Sequence, residues 1–297
     1  MKNIESLPYC GIKICEIVMI IVKNVDQELK IKLETKSKKI RRGILDLAYN
    51  CKAPAHLGGA LSAVEIMATL YFGGVLNYDS KTPFWKNRDR FILSKGHTVL
   101  VLYSTLYEAG YFDERVLNSF EENDSPLAAH PIRNLKLGIE SSNGSLGQGL
   151  SFCIGTAITF KNANLPQKVF VLVGDGETNE GSVWEAISFA PQRKLDNLTL
   201  IIDNNGLQND GFTKDIVDFT SYEKKLKAFG WDAITVDGHS VHELYAAFTK
   251  KSKPNKPRAI IAKTVKGKGV SFMENKAEWH HGQLTEKLYN EAIEELK

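Results

Sequence analysis

The sequence predicts an α/β protein with a three-layer, doubly wound, mostly parallel sheet. Short β-rich runs at 168–173, 198–203, 231–236 and 259–263 alternate with helical stretches, the pattern of βαβ units. Two of these runs end abruptly in small polar and acidic residues, Gly174-Asp175-Gly176 and Asp203-Asn204-Asn205. The chain has 297 residues, 43% of them hydrophobic, which supplies a substantial core for one large domain or two small ones.

Taken in order, residues 26–49 read as a helix, with Ile31, Ile40, Ile44, Leu45 and Leu47 set among charges. Helices follow at 62–71 and 98–109. Their Leu70, Tyr71, Phe72, Leu102, Tyr103 and Leu106 belong to a core or an interface. Residues 146–162 form a buried helix rich in small residues. Helices at 182–193, 222–229 and 241–250 lie among the strands, and a last one spans 287–296. There is no internal repeat and no low-complexity linker.

A net charge of +3 is too small to argue for nucleic acid. The densest basic run, Lys36, Lys38, Lys39, Arg41 and Arg42, reads as one solvated helix face. Cys10, Cys15, Cys51 and Cys153 lack zinc-type spacing, and this sparse usage fits a reducing, cytoplasmic setting. Cys51 and Cys153 read as packing residues. The apolar stretch 12–22 carries Lys13 and Glu16 and falls short of the roughly 20 residues that span a bilayer. It also lacks a signal-peptide pattern. No membrane partner is expected. Residues 1–24 read as an N-terminal extension, with Met1 and Met19 both open as starts, and 25–297 as one domain.

Ligands of wound parallel sheets bind beyond the carboxyl ends of the strands. The Gly-Asp-Gly and Asp-Asn-Asn ends lie one βαβ unit apart and are expected side by side. Gly176 permits a sharp turn, and Gly174 permits close backbone approach. The helix from Ser182 begins near this edge, where its amides favour anions. Asp175 is a hard oxygen ligand, Asn205 offers a neutral oxygen, and a carbonyl such as that of Leu207 adds a third. With two phosphate oxygens and a water these complete the octahedron of magnesium. Read singly, either segment is an ordinary turn or loop. No G-x-G-x-x-G follows a strand, and no P-loop is present.

Together the two ends resemble the thiamine-diphosphate motif, and other segments narrow the resemblance to the transketolase family. "RDRFILSKGH" (88–97) is similar to the family's strand-to-His segment, and "SSNGSLGQGLSFCIGTA" (141–157) to its Gly-rich helix entry. "APAHLGGALSAVEIMATLYF" (53–72) resembles its first active-site loop and helix, and "KGKGVSFMENKAEWHHG" (266–282) its late His loop. The matches run in order over roughly 38–284. The resemblance implies the thiamine-diphosphate-binding fold and its diphosphate-binding half alone. Full-length family members are about twice this long. In them the remaining half carries the pyrimidine-binding and C-terminal domains and the Glu that protonates the cofactor's aminopyrimidine. Expected, therefore, are a dimer of heterodimers, inactivity of the lone chain and a C-terminal partner subunit.

By the same resemblance, Asp175, Asn205 and the Leu207 carbonyl hold Mg2+ or Ca2+. Gly144, Leu146, Gly174 and Gly176 contact the cofactor. Glu180 and Glu185 link two active sites across a dimer interface, although Glu185 also reads as a solvated helix residue. His56 and His97 match positions near the thiazolium and substrate, and His130 matches one that contacts the donor hydroxyls. In the late loop His280 is favoured, with His281 open. His239 reads as a loop cap and His242 as helix surface. Several imidazoles suit a reaction in which an alkoxide develops and protons move near pH 7.

The activity implied is transfer of a two-carbon ketol unit from a ketose, a sugar phosphate, to an aldose, as in the pentose phosphate pathway. A non-catalytic cofactor-binding scaffold, half of a deoxyxylulose-phosphate synthase and the alpha chain of a 2-oxo-acid dehydrogenase remain rivals. "RDRFILSKGH" and the histidines argue against the dehydrogenase. Convergence of Asp175, Asn205 and the histidines on one cleft discriminates against the scaffold.

Overall fold

The computed structural model describes the backbone of residues 14–297, except Thr220 and Ser252, and the side chains from residue 27 onward. The side chains of the apolar stretch 12–22, Cys10 and Cys15 lie outside these described residues. Among the described residues five strands form one sheet: β1 (Arg90–Leu93), β2 (Val169–Gly174), β3 (Leu198–Asn204), β4 (Asp232–Asp237) and β5 (Arg258–Lys263). Every neighbouring pair is parallel, in the order β1-β2-β3-β5-β4. β2 to β5 fall where the β-rich runs predict them. β1 has only four residues between charged flanks, too short for periodicity to reveal.

The helices are α1 (Ile14–Asn50), α2 (Gly58–Ser62), α3 (Val64–Phe72), α4 (Val99–Glu108), α5 (Glu114–Asn118), α6 (Gly149–Asn162), α7 (Gly181–Gln192), α8 (Thr213–Ile216), α9 (Tyr222–Ala228), α10 (Val241–Thr249) and α11 (Glu286–Glu295). They cover both faces. One core packs α1, α3, α4 and α10 against β1, β2 and β5, and includes Ile40, Ile44, Leu70, Tyr103 and Phe170. The other packs α6, α7 and α9 against the opposite face through Cys153, Val171, Ile187, Leu200 and Trp231. Strands buried on both faces read as continuous apolar runs, and β2 is VFVLVG with its first five residues buried. Among the described residues no helix is long and apolar enough to cross a membrane.

Four expectations need correction. The first helix begins at Ile14 rather than at 26. Ile31 is 54% exposed, so the helix buries its Ile40, Ile44 and Leu45 but not that position. Arg41 turns inward from the basic run and pairs with Glu65 at 2.6 Å. The small-residue helix begins at Gly149 rather than at 146, because Gly147 sits at φ +83. A Cβ on Gly147 would meet Ser182 Oγ at 2.6 Å, so this backbone conformation and the close approach both call for glycine.

Candidate functional site

β2 and β3 are paired with Gly174 opposite Asp203, so the residues after each strand leave the sheet together. Asp175 is 2% exposed. Its Oδ1 accepts from the Gly176 amide at 2.8 Å and its Oδ2 from the Gly206 amide at 2.6 Å. The carboxylate of 175 therefore bonds the residue that follows Asn205. Burial pushes the Asp175 carboxyl up to about 6, Asp203 adds to the rise, and the two amides oppose it. Asn205 Nδ2 reaches Asp203 Oδ2 at 3.3 Å, and its Oδ1 accepts from the Leu207 amide at 3.1 Å.

A cavity of about 390 Å³ opens at these strand ends. His56, His97, His280, Gly144, Leu146, Gly174, Asp175, Gly176, Glu180, Asn205 and Leu207 all line it. The His97 and His280 rings stack at 5.2 Å, and His56 lies 5.1 Å from His97 and 5.5 Å from His280. Burial drives all three imidazoles down: His97 to about 2, His280 to about 3 and His56 to about 4. Neighbouring Lys95, Lys266 and histidines deepen these shifts. The three rings are neutral at pH 7, and each carries one N–H donor and one acceptor nitrogen.

His130 and His281 are exposed and lie outside the cavity lining, with ring centroids 6.1 and 4.4 Å from His56. Glu185 lies on the exposed side of α7 and does not line the cavity. His242 is exposed on α10, and Cys153 is buried among apolar neighbours.

Four charged residues here were given no role by the sequence reading. Lys95 Nζ is buried and donates to Asp203 Oδ2 at 2.5 Å and to the Gly59 carbonyl at 2.8 Å. Burial alone would raise the Asp203 carboxyl, but Lys95, Ser62 and Thr264 hold it below its ordinary value. Lys266 Nζ donates to the carbonyls of Leu207 and Gln208 at 3.1 and 3.0 Å and meets His280 Nδ1 at 2.8 Å. Burial lowers Lys266 to about 8. Glu177 accepts from Ser94 Oγ and from the Gly147 and Gly174 amides, tying the Gly-rich entry of α6 to the end of β2. The signal for all four lay inside the quoted motifs: Lys in "SKGH" and "KGKG", Glu after Gly-Asp-Gly, and Asp before Asn-Asn.

The family described as transketolase, thiamine diphosphate binding domain, matches residues 35–296. An apulose-4-phosphate transketolase subunit from Actinobacillus succinogenes is 43% identical over 265 residues, covering 89% of this chain and 96% of the relative. The 6-deoxy-6-sulfo-D-fructose transketolase subunit SqwG of a Clostridium species is 40% identical over 243 residues, covering 82% and 88%. The solved transketolase of Leishmania mexicana superposes with a TM-score of 0.82 at 28% identity, over 89% of this chain and 41% of that one. This chain thus spans about two fifths of that transketolase, though nearly all of the two relatives named as subunits. With the family's domain matched from 35 to 296, the parallel sheet shared and such relatives alongside, the chain belongs to the transketolase family, as its thiamine diphosphate binding domain.

Proposed function

We propose that this chain is the diphosphate-binding subunit of a transketolase. It moves a two-carbon ketol unit from a ketose, a sugar phosphate, to an aldose, as in the pentose phosphate pathway. The carrying observation is convergence: Asp175, Gly176, Asn205 and three neutral histidines line one cavity at adjacent strand ends. A second chain supplies the pyrimidine-binding and C-terminal parts, and two such pairs assemble in the cytoplasm. Residues 25–297 form the domain, and 1–24 an extension.

The residues present fit thiamine diphosphate and a hard divalent cation, Mg2+ or Ca2+. The Asp175 carboxylate, Asn205 and the Leu207 carbonyl are hard oxygen donors. The Leu207 carbonyl accepts from Lys266 and keeps a second lone pair. Asn179 Oδ1 and Gln208 Nε2 are buried without partners on residues that line the cavity, and buried polar atoms call for a partner. The bound cofactor supplies carbanion stabilisation, which side chains cannot. Gly144, Leu146, Gly174 and Gly176 give backbone approach to it. His56, His97 and His280 hydrogen-bond the substrate oxygens as neutral donors and acceptors, with His130 and His281 at the rim. Glu180 and Glu185 face a second copy.

The test mixes this chain with its partner, thiamine diphosphate, magnesium, xylulose 5-phosphate and ribose 5-phosphate. Ketol transfer to ribose 5-phosphate is expected. Because the relatives are named for apulose 4-phosphate and sulfofructose, the donor panel includes both. No transfer from any donor, with both chains folded, rejects the assignment.

A further inference from the structure

His239 has no place in the cavity, yet both ring nitrogens are engaged. The Val265 amide donates to its Nε2 at 2.8 Å. A backbone amide only donates, so Nε2 is the acceptor and the neutral ring carries its proton on Nδ1. Nδ1 lies 2.9 Å from Glu65 Oε2 and donates to it. The other oxygen of Glu65, on α3, accepts from Arg41 Nη2 at 2.6 Å. Arg41, on α1, donates through Nε to the Lys268 carbonyl at 2.9 Å. Arg41 and Glu65 are each 8% exposed.

This chain of contacts leaves the turn after β5 and returns to it. It grips the backbone at Val265 and at Lys268, on either side of Lys266. The turn and the residue after it take glycine-only backbone: Gly267 and Gly269 have φ +80 and +91, which few other residues adopt. A Cβ on Gly269 would come within 2.6 Å of Arg41 Cδ, so the guanidinium stem lies flat against the turn. The Gly267 amide is held by the Gly58 carbonyl at 2.9 Å. What the turn presents is the buried Lys266 ammonium, aimed at the Leu207 and Gln208 carbonyls and at His280.

We propose that Arg41, Glu65 and His239 form a positioning network that clamps the 265–268 turn, thereby aiming Lys266 at the Leu207 loop and fixing the face that His280 shows to the cavity. With Lys266 Nζ donating to His280 Nδ1, the His280 proton sits on Nε2. The inference rests on the proposed function only for what the aimed ammonium and imidazole serve.

The test compares His239→Gln with His239→Asn. Glutamine keeps an acceptor at the reach of Nε2 and so preserves the Val265 contact. Asparagine keeps only a donor near Nδ1 and loses that contact. Amine-reactive labelling of the chain without cofactor, read at the Lys266 peptide by mass spectrometry, reports the aim of the ammonium. Lysines exposed elsewhere serve as internal references, and circular dichroism checks folding. We expect His239→Asn and Glu65→Gln to raise the Lys266 rate about tenfold, the effect of losing one buried hydrogen bond, and His239→Gln, which gives up the Glu65 contact but keeps the one to Val265, to raise it by no more than about threefold. Equal rates in the two His239 variants, or the reverse order, would overturn the clamp. A second arm measures thiamine diphosphate affinity by protein fluorescence. His239→Asn should weaken it in the parent but not in a Lys266→Met background; an undiminished effect there overturns the proposal. A parent chain that binds no cofactor with its partner present speaks against the proposed function, while the labelling arm still decides the clamp.

Discussion

Asp175 at the end of β2 and Asp203 at the end of β3 are buried carboxylates on adjacent strands, yet their surroundings push them in opposite directions. Asp203 is fully buried and fully answered: Lys95, Ser62 and Thr264 all donate to it. These contacts outweigh burial and keep it ionised. Asp175 receives two backbone amides, a long contact from Thr213 at 3.3 Å and the repulsion of Asp203. It rises to about 6. A carboxylate with its own cation braces the fold; one left without a directly bonded cation can serve a ligand. The end of β3 ties α2, the segment after β1 and the turn after β5 together, and the end of β2 keeps its charge for the cavity.

The largest effect should come from breaking the brace. Lys95→Met leaves Asp203 buried without its cation, and loss of one partner of such a pair costs about 3–5 kcal/mol. Urea unfolding reads this directly; a loss below about 1 kcal/mol would mean that the brace and the free end differ less than their partners suggest. Asp175→Asn should behave in the opposite way. It removes a like charge beside Asp203, so stability at pH 8 should fall by no more than about 1 kcal/mol. Magnesium-dependent thiamine diphosphate binding should disappear in the same variant. A variant that unfolds readily would place Asp175 with the brace instead.

Next comes pH. His97, His280 and His56 refuse protons until about 2, 3 and 4 in the folded chain, while the unfolded chain takes them near 6.5. Their neutral burial is therefore fully tolerated above pH 6.5 and costs stability increasingly as pH falls below it. Asp175 works against this: folded, it binds its proton by about 6, and unfolded only near 3.9. Acid between these values favours the folded state at that one group. Three imidazoles against the two raised carboxyls of this cavity, Asp175 and Glu177, predict a lower urea midpoint at pH 5 than at pH 7.5. An unchanged midpoint would show that the histidine end is wetter than its burial implies.

Much of this arrangement was legible in the sequence, because it is written in runs. β2 and β3 are apolar stretches with sharp polar ends, and those ends named Asp175 and Asn205 before any geometry. The brace was not legible. Lys95 and Asp203 are 108 positions apart, and a lysine in a motif reads as solvated unless its partner is known. Arg41 was misread for the same reason: in sequence it belongs to a basic run, and only the packing of α1 on α3 brings Glu65 to it. The four residues of β1 were too few for periodicity. Ile31 shows the converse limit, since helical spacing names candidates for a buried face but not where the neighbouring elements stop.

The smallest effect separates Glu180 from Glu185, two exposed acidic residues beyond β2. Glu180 is exposed and lines the cavity beside Gly147, whose added Cβ would meet Glu180 Cβ at 2.8 Å. Glu185 is exposed on α7, and its backbone carbonyl accepts from Ser188 Oγ at 2.8 Å. Substitution of such a surface side chain usually changes stability by less than about 0.5 kcal/mol. Glu185→Gln should therefore leave the urea midpoint of the isolated chain unmoved. If Glu185 faces a second copy, the same variant should shift the monomer–dimer balance in sedimentation velocity with the partner chain present. A shift in neither measurement would make Glu185 an ordinary solvated residue and confine the functional acids of this edge to those that touch the cavity.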